Sequence, residues 1–417
     1  MTPSPRPGLR LDPRSPPADS GPLDLPYGRQ LIEEDDIAAV IAVLRSDTLA
    51  QGPRVAEFER RFADAVGAPH AVTCSSGTAA LHLALAALDV GPGHACIVPA
   101  ISFLSTATAV RYCGAEVVFA DVEPDTGLMT PETLHAAFRR TGGRAVKAVL
   151  PVHLGGRLCE TGALEAIASA HGAVVVEDAC HAVGSRSARN GAAGDCRHGR
   201  AAAFSFHPVK TIACGEGGMT TTADPALADR LRRLRNHGVT RDPALMFDPE
   251  LSLDEASAPN PWSYEQTELG FNYRMTDLEA ALGMSQLAKL ERFVEARAAL
   301  ARRYDDLLAP LAPLVRPVAA PVGDRTSLHL YQVLVDWDAL GVSRAEVMRA
   351  LAARGVGTQV HYIPIPRQPY FTSRYGALRL PGAESFYARV LALPLFPAMT
   401  AADAERVALE FASALGR

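Results

Sequence analysis

The chain has 417 residues, 48% of them hydrophobic and 21% charged. That length exceeds what one hydrophobic core fills, and the composition excludes collagen-like, wholly disordered and membrane-spanning chains. Its 41 Lys and Arg against 46 Asp and Glu leave a net charge of −5, so there is no basic surplus for nucleic acid or an anionic membrane, and any anionic ligand must be held by local groups.

Residues 1–25, MTPSPRPGLRLDPRSPPADSGPLDL, are rich in Pro and Ser and carry no apolar run. Without a hydrophobic h-region, and with Asp12, Asp19 and Asp24 interrupting, they read as a disordered extension and not as a targeting segment. From about Val55 to Leu290, β-branched runs recur: AVTC (71–74), ACIVPA (95–100), EVVFADV (116–122), VKAVLPV (146–152) and AVVVEDA (173–179). Helical stretches lie between several of them, at Thr78 to Leu88, Ser105 to Cys113, Pro131 to Arg140 and Leu164 to His171. This alternation predicts an α/β fold with a mostly parallel sheet covered on both faces. A long helical stretch, Thr276 to Leu308, follows. In the last hundred residues HLYQVLVDW (329–337), a helix around Ser343 to Arg354 and QVHYIPI (359–365) predict a compact α+β unit. The chain thus divides into the extension 1–25, a large domain over 26–290 and a small one over 291–417. Apolar stretches such as Ala38 to Leu44 fall well short of the ~18 residues of a membrane span. Seven cysteines without a CxxC pair read as reduced thiols in a cytoplasmic protein.

Three features carry chemistry. Ser75-Ser76-Gly77-Thr78 follows the run AVTC and opens a helix, where small residues leave backbone N–H groups free for a phosphate. The same residues also serve as a plain N-cap. Asp178 ends the run AVVVED, at the strand edge where α/β proteins bind ligands, although an Asp there also caps turns. Lys210 lies between the apolar strand AAAFSF and the turn GEGG, and desolvation there lowers an ammonium's pKa and frees an amine. A phosphate cradle, an acid and a lysine together meet the needs of pyridoxal 5′-phosphate: its phosphate, its pyridine nitrogen and its aldehyde. His207 and His361 have no carboxylate or Cys partner at ligand spacing, so no metal site is read from them.

The segments SSGTAAL, VEDACHAVG, FSFHPVK–GEGG and LGFNYRMTDLEAALGMSQL resemble the sugar aminotransferases of the DegT/DnrJ/EryC1/StrS family. The resemblance runs from about Pro26 to the C-terminus. It implies fold type I of the pyridoxal-phosphate enzymes, with a mostly parallel, mixed seven-stranded sheet between helices and a smaller α+β domain. HPVK before the Gly turn, His181 where most of the family has Gln, and VHYIPIPRQPYF resemble the branch acting in pseudaminic acid biosynthesis.

By this resemblance Lys210 carries the cofactor and shuttles the proton, and Asp178 pairs with the pyridine nitrogen. Gly77, Thr78 and Ser205 bind the phosphate, which Asn272 reaches from a second subunit of a homodimer. Phe103 lies against the ring, with His181 near its other face or its O3′ side. Tyr27, Asp47, Thr48, Leu49, Ala50, His361, Tyr362, Ile363 and Pro364 surround the substrate, with Ser205 and Asn272 beside it and Arg274 as a donor at the rim. Members of this branch often have Ala in place of Gly77, a change expected to affect phosphate binding little. Cys214 stands where Thr or Ser is usual.

The activity so implied is transfer of the amino group of L-glutamate to C4 of a UDP-linked 4-keto-6-deoxy sugar. Other sugar 4-aminotransferases, of perosamine, viosamine or bacillosamine type, stay open, as does a cofactor-holding regulator without turnover. Sugar 3-dehydratases of the same fold replace the lysine by histidine, and a Rossmann oxidoreductase would need a G-x-G-x-x-G that SSGTAAL does not supply.

Overall fold

A computed structural model describes residues 23–321 and 323–417, so most of the extension expected over 1–25 lies outside the described residues. The end of that segment is built into the fold. The Leu25 N–H donates to Gly355 O at 3.0 Å, and its carbonyl accepts from the Gly357 N–H at 2.8 Å. Its buried side chain joins the apolar cluster of Val333, Leu351 and Val356, so packing begins before Pro26.

The apolar runs become β1 (His70–Cys74), β2 (His94–Pro99), β3 (Glu116–Ala120), β4 (Ala145–Val149), β5 (Val174–Asp178), β6 (Ala201–Ser205) and β7 (Gly218–Thr222). They form one seven-stranded sheet in the order β1-β7-β6-β5-β4-β2-β3. The pairs from β3 through β6 are parallel, and β7 runs antiparallel to both β6 and β1. Six strands therefore end on one edge, where β7 begins. Leu81, Leu85, Val110, Leu134 and Leu164 of the intervening helices share a buried cluster with Val98, Val149 and Val175 of the strands. Continuous apolar strands follow from that two-sided cover.

The helical stretch expected over 276–308 divides into Asp277–Leu287 and Leu290–Leu308. The break exposes Lys289 to the start of the helix Glu34–Leu44, where its Nζ contacts Asp35 at 2.7 Å and Asp36 at 2.8 Å. At the other end, Asp277 accepts from the N–H groups of Gly52 (2.7 Å) and Arg54 (2.9 Å) at the start of the helix Pro53–Val66. An anion there complements the helix dipole and ties the N-terminal helices to the chain's middle.

In the last hundred residues β8 (Val315–Pro317), β9 (Tyr331–Val335) and β10 (Val390–Leu393) form an antiparallel sheet in that order. The helices Arg344–Ala353 and Ala401–Ala414 bury Leu351, Val407 and Phe411 with it. QVHYIPI, which resembles strand in its alternation, is irregular: Gln359 alone makes a bridge, to Ala392. Pro364 and Pro366 remove ladder donors there, and the chain turns at Ile365–Arg367. No helix among the described residues is long and apolar enough to cross a membrane.

Candidate active site

The shared edge of β1, β5 and β6 opens into a cavity of about 820 Å³, within the usual range for small-molecule sites. Beyond β1, Ser76 caps the helix Gly77–Ala87, its Oγ accepting from the Ala79 N–H at 3.1 Å. This cap leaves the first N–H groups, of Gly77 and Thr78, without an intrahelical acceptor, and both residues line the cavity. Ser205, at the end of β6, adds a hydroxyl to the same corner. A Cβ at Gly77 would lie 2.6 Å from Ser205 Cβ and 3.2 Å from Cys180 Sγ. The expectation that Ala at position 77 changes little is therefore overturned for this chain, because Ser205 fills the space that Ala needs.

Asp178 is buried at the end of β5. Thr106 Oγ1 donates to its Oδ2 at 2.6 Å and the Cys180 N–H to its Oδ1 at 3.2 Å. Two donors hold the carboxylate in one orientation. The turn after β6 brings Lys210 back to it. Phe206 N–H donates to Gly217 O and Cys214 N–H to Phe206 O, both at 2.9 Å, while Lys210 N–H donates to His207 O at 2.8 Å. Burial pushes the Lys210 ammonium below the ordinary lysine value, and Asp178 acts against that shift. The chain has three lysines, and the other two are elsewhere: Lys147 on β4, Lys289 in its acidic cluster. Free N–H groups at a helix start, a fixed carboxylate and a desolvated amine fit the phosphate, ring nitrogen and aldehyde of pyridoxal phosphate.

The facing wall carries Tyr27, Phe103, His361, Tyr362 and Ile363, drawn from three separate segments. Tyr27 and His361 lie 5.4 Å apart by ring centroid, Phe103 and Tyr362 6.0 Å. His181 closes the wall from behind: its Nδ1 accepts from the Gly155 N–H at 3.3 Å, and its Nε2 is 3.2 Å from Tyr362 Oη. Burial, with Lys210 nearby, drives His181 well below the ordinary histidine value and His361 down to about 3.

Of the residues singled out in the sequence, Tyr27, Gly77, Thr78, Phe103, Asp178, His181, Ser205, Lys210, His361, Tyr362 and Ile363 meet in this cavity. Asp47, Thr48, Leu49, Ala50, Asn272 and Arg274 do not line it within one chain. Ala50 bridges Thr276 and Leu49 O accepts from the Asp277 N–H, while Asn272 bridges Asn236 and Arg274 Nη1 donates to Asn236 Oδ1 at 2.8 Å. Pro364 is buried and starts the turn behind the wall. The Cys214 thiol is directed at Gly283 of the helix Asp277–Leu287, away from the cavity. Thr106, Glu216 and Gln359 were not anticipated; Thr106 holds Asp178 from 72 positions away, with no local pattern to announce it.

Comparison with known proteins gives the same result. Residues 30–412 match the model of the DegT/DnrJ/EryC1/StrS aminotransferase family. Spore coat polysaccharide biosynthesis protein SpsC of Bacillus subtilis is 40% identical over 389 residues, 92% of this chain and 95% of SpsC. Helicobacter pylori PseC, an aminotransferase involved in the biosynthesis of pseudoaminic acid, superposes with a TM-score of 0.83 at 26% identity, over 94% of this chain and 99% of PseC. The Streptococcus pneumoniae putative sugar aminotransferase Spr1654, in its PMP-form, gives 0.83 at 27% identity over 94% and 98%. With the family model spanning nearly every described residue, the chain belongs to the DegT/DnrJ/EryC1/StrS family of pyridoxal-phosphate-dependent sugar aminotransferases.

Proposed function

We propose that the chain transfers the amino group of L-glutamate to C4 of UDP-2-acetamido-2,6-dideoxy-β-L-arabino-hexos-4-ulose, giving UDP-4-amino-4,6-dideoxy-N-acetyl-β-L-altrosamine, in the cytoplasm. The observation that carries the amination is the convergence of Lys210, Asp178 and the free start of the helix Gly77–Ala87 on one cavity. Pyridoxal phosphate, when bound, supplies an aldehyde and a ring that stores the electron pair of a C–H bond broken beside nitrogen. Gly77, Thr78 and Ser205 hold its phosphate, and Asp178 keeps its ring nitrogen protonated. Lys210, less basic than an ordinary lysine, is an amine that takes a proton from one carbon and returns it to another. The wall of Tyr27, Phe103 and Tyr362 excludes water from that transfer and gives the sugar's C–H faces a surface.

Among the described residues Lys210 is the only Lys or Arg lining the cavity, and Asp178 and Glu216 add negative charge. A nucleotide diphosphate and the carboxylates of glutamate need several cationic donors, and among the described residues one chain brings Lys210 with the amides of Gln359 and Gln368. Arg274 and Asn272 are donors of that kind, and we infer that a second copy delivers them, as a homodimer with shared sites. The pseudaminic reading rests on HPVK, His181 and VHYIPIPRQPYF, together with the similarity to PseC. The higher identity to SpsC favours a second reading, a different 4-amino sugar for a polysaccharide. Incubation with glutamate and UDP-4-keto-6-deoxy sugars of both C5 configurations, with NMR of the products, separates the two. Amination of the L-configured sugar is expected, and amination of the D-configured sugar alone sinks the pseudaminic reading.

A further inference from the structure

The cavity wall contains a hydrogen bond whose direction the structure determines. His181 Nδ1 accepts from the backbone N–H of Gly155, so Nδ1 carries no proton. Burial keeps His181 neutral, and a neutral imidazole must then hold its proton on Nε2. Nε2 faces Tyr362 Oη at 3.2 Å and can only donate to it. The Tyr362 hydroxyl accepts that bond, and its own proton has no acceptor among the described residues. Burial, with Tyr27, Asp178 and Cys180 nearby, pushes the phenol above its ordinary value and keeps the proton in place.

The same turn fixes both ends of this arrangement. Gly155 sits at φ +67°, which a side chain resists, and a Cβ there would lie 2.6 Å from Arg157 Nη1. Arg157, almost wholly buried, donates from Nη1 to Gln332 Oε1 at 2.9 Å. The Gln332 amide in turn donates to the carbonyl of His361, next to Tyr362, at 3.3 Å. One turn thus aims the histidine and anchors the loop that carries the tyrosine.

We propose that Tyr362 determines substrate specificity by donating its hydroxyl proton to an oxygen of the sugar, and that His181 is its positioning residue. This rests on the sugar amination proposed above. The test separates the two half-reactions of the holoenzyme, glutamate to cofactor and cofactor to keto-sugar, followed by cofactor absorption. Tyr362→Phe is expected to raise KM for the keto-sugar about 10-fold, leaving the glutamate half-reaction within twofold and the cofactor absorption maximum unmoved. His181→Leu is expected to raise the same KM, His181→Gln to restore it within about threefold, and His181→Leu to add nothing in the Tyr362→Phe background. Equal slowing of both half-reactions, a shifted absorption maximum in Tyr362→Phe, or additive effects of the two substitutions overturn the proposal. A wild-type enzyme that completes the glutamate half-reaction but passes nitrogen to no keto-sugar overturns the amination reading and this inference together. Retention of wild-type absorption and melting by Tyr362→Phe marks its KM change as local.

Discussion

The two sides of the cavity are built differently. The floor consists of strand ends and a helix start: Ser76 to Thr78 after β1, Asp178 at the end of β5, and Ser205 and Lys210 after β6. Backbone hydrogen bonds of the sheet, of the helix start and of the turn after β6 fix where these residues leave the main chain. The wall has no such frame. Tyr27, Phe103, His361 and Tyr362 come from irregular segments, and their places depend on one another, on His181 and on the buried Arg157–Gln332 link. On the function proposed above, the cofactor's contacts sit at strand ends, a helix start and one tight turn, and selection among substrates sits on irregular segments where a few contacts can be exchanged.

If that division holds, floor substitutions have large effects on turnover and wall substitutions smaller effects on recognition or stability. Lys210→Ala is expected to lower turnover about 10⁴-fold or more and to abolish the cofactor's visible absorption, because no second lysine is near. Asp178→Asn removes a charge that Thr106 and Cys180 hold in place, and turnover is expected to fall about 10²–10³-fold, with the fold retained by circular dichroism. Gly77→Ala forces Ser205 aside at a cost of about 1–3 kcal/mol, so cofactor affinity by titration falls roughly 10–100-fold. Adding Ser205→Gly is expected to recover part of that loss.

The smallest effect belongs to the wall and concerns pH. The folded His361 value, about 3, lies below the ordinary 6.5, so between these values the unfolded chain binds a proton that the folded chain does not. Its contribution is complete above pH 6.5 and is lost at up to about 1.4 kcal/mol per unit as pH falls toward 3. His361→Gln is expected to reduce the loss of stability between pH 6 and pH 5 by about 1 kcal/mol in urea unfolding. An unchanged slope would mean that the wall does not hold His361 neutral.

This contrast also explains what the sequence revealed. β5 and β6 were legible as apolar runs, and their ends as abrupt polar residues, because a strand buried on both faces leaves that signature; Asp178 and Lys210 followed. The wall was legible only through resemblance: QVHYIPI alternates like a strand, and nothing local says that its prolines and the approach of Tyr27 make it a loop. The bond from His181 to Tyr362 spans 181 positions, and the role of Ser205 against Gly77 spans 128, distances over which periodicity carries no information. The division of the helix at Lys289 was hidden for the same reason, since its acidic partners lie near residue 35. Asp47 to Ala50, Asn272 and Arg274 lie outside the cavity of one chain; if they serve a second copy, mixing a Lys210→Ala chain with an Arg274→Ala chain is expected to recover activity that neither has alone.

The claim on which the rest depends is that Lys210 holds the cofactor, and the scarcity of lysine makes it directly testable. Borohydride reduction of the holoenzyme fixes the cofactor to its amine, and peptide mass spectrometry then identifies the modified residue among Lys147, Lys210 and Lys289. The pyridoxyl group is predicted on Lys210 in stoichiometric yield. Its recovery on Lys147 or Lys289, or on no lysine, would contradict the assignment of this cavity as the active site.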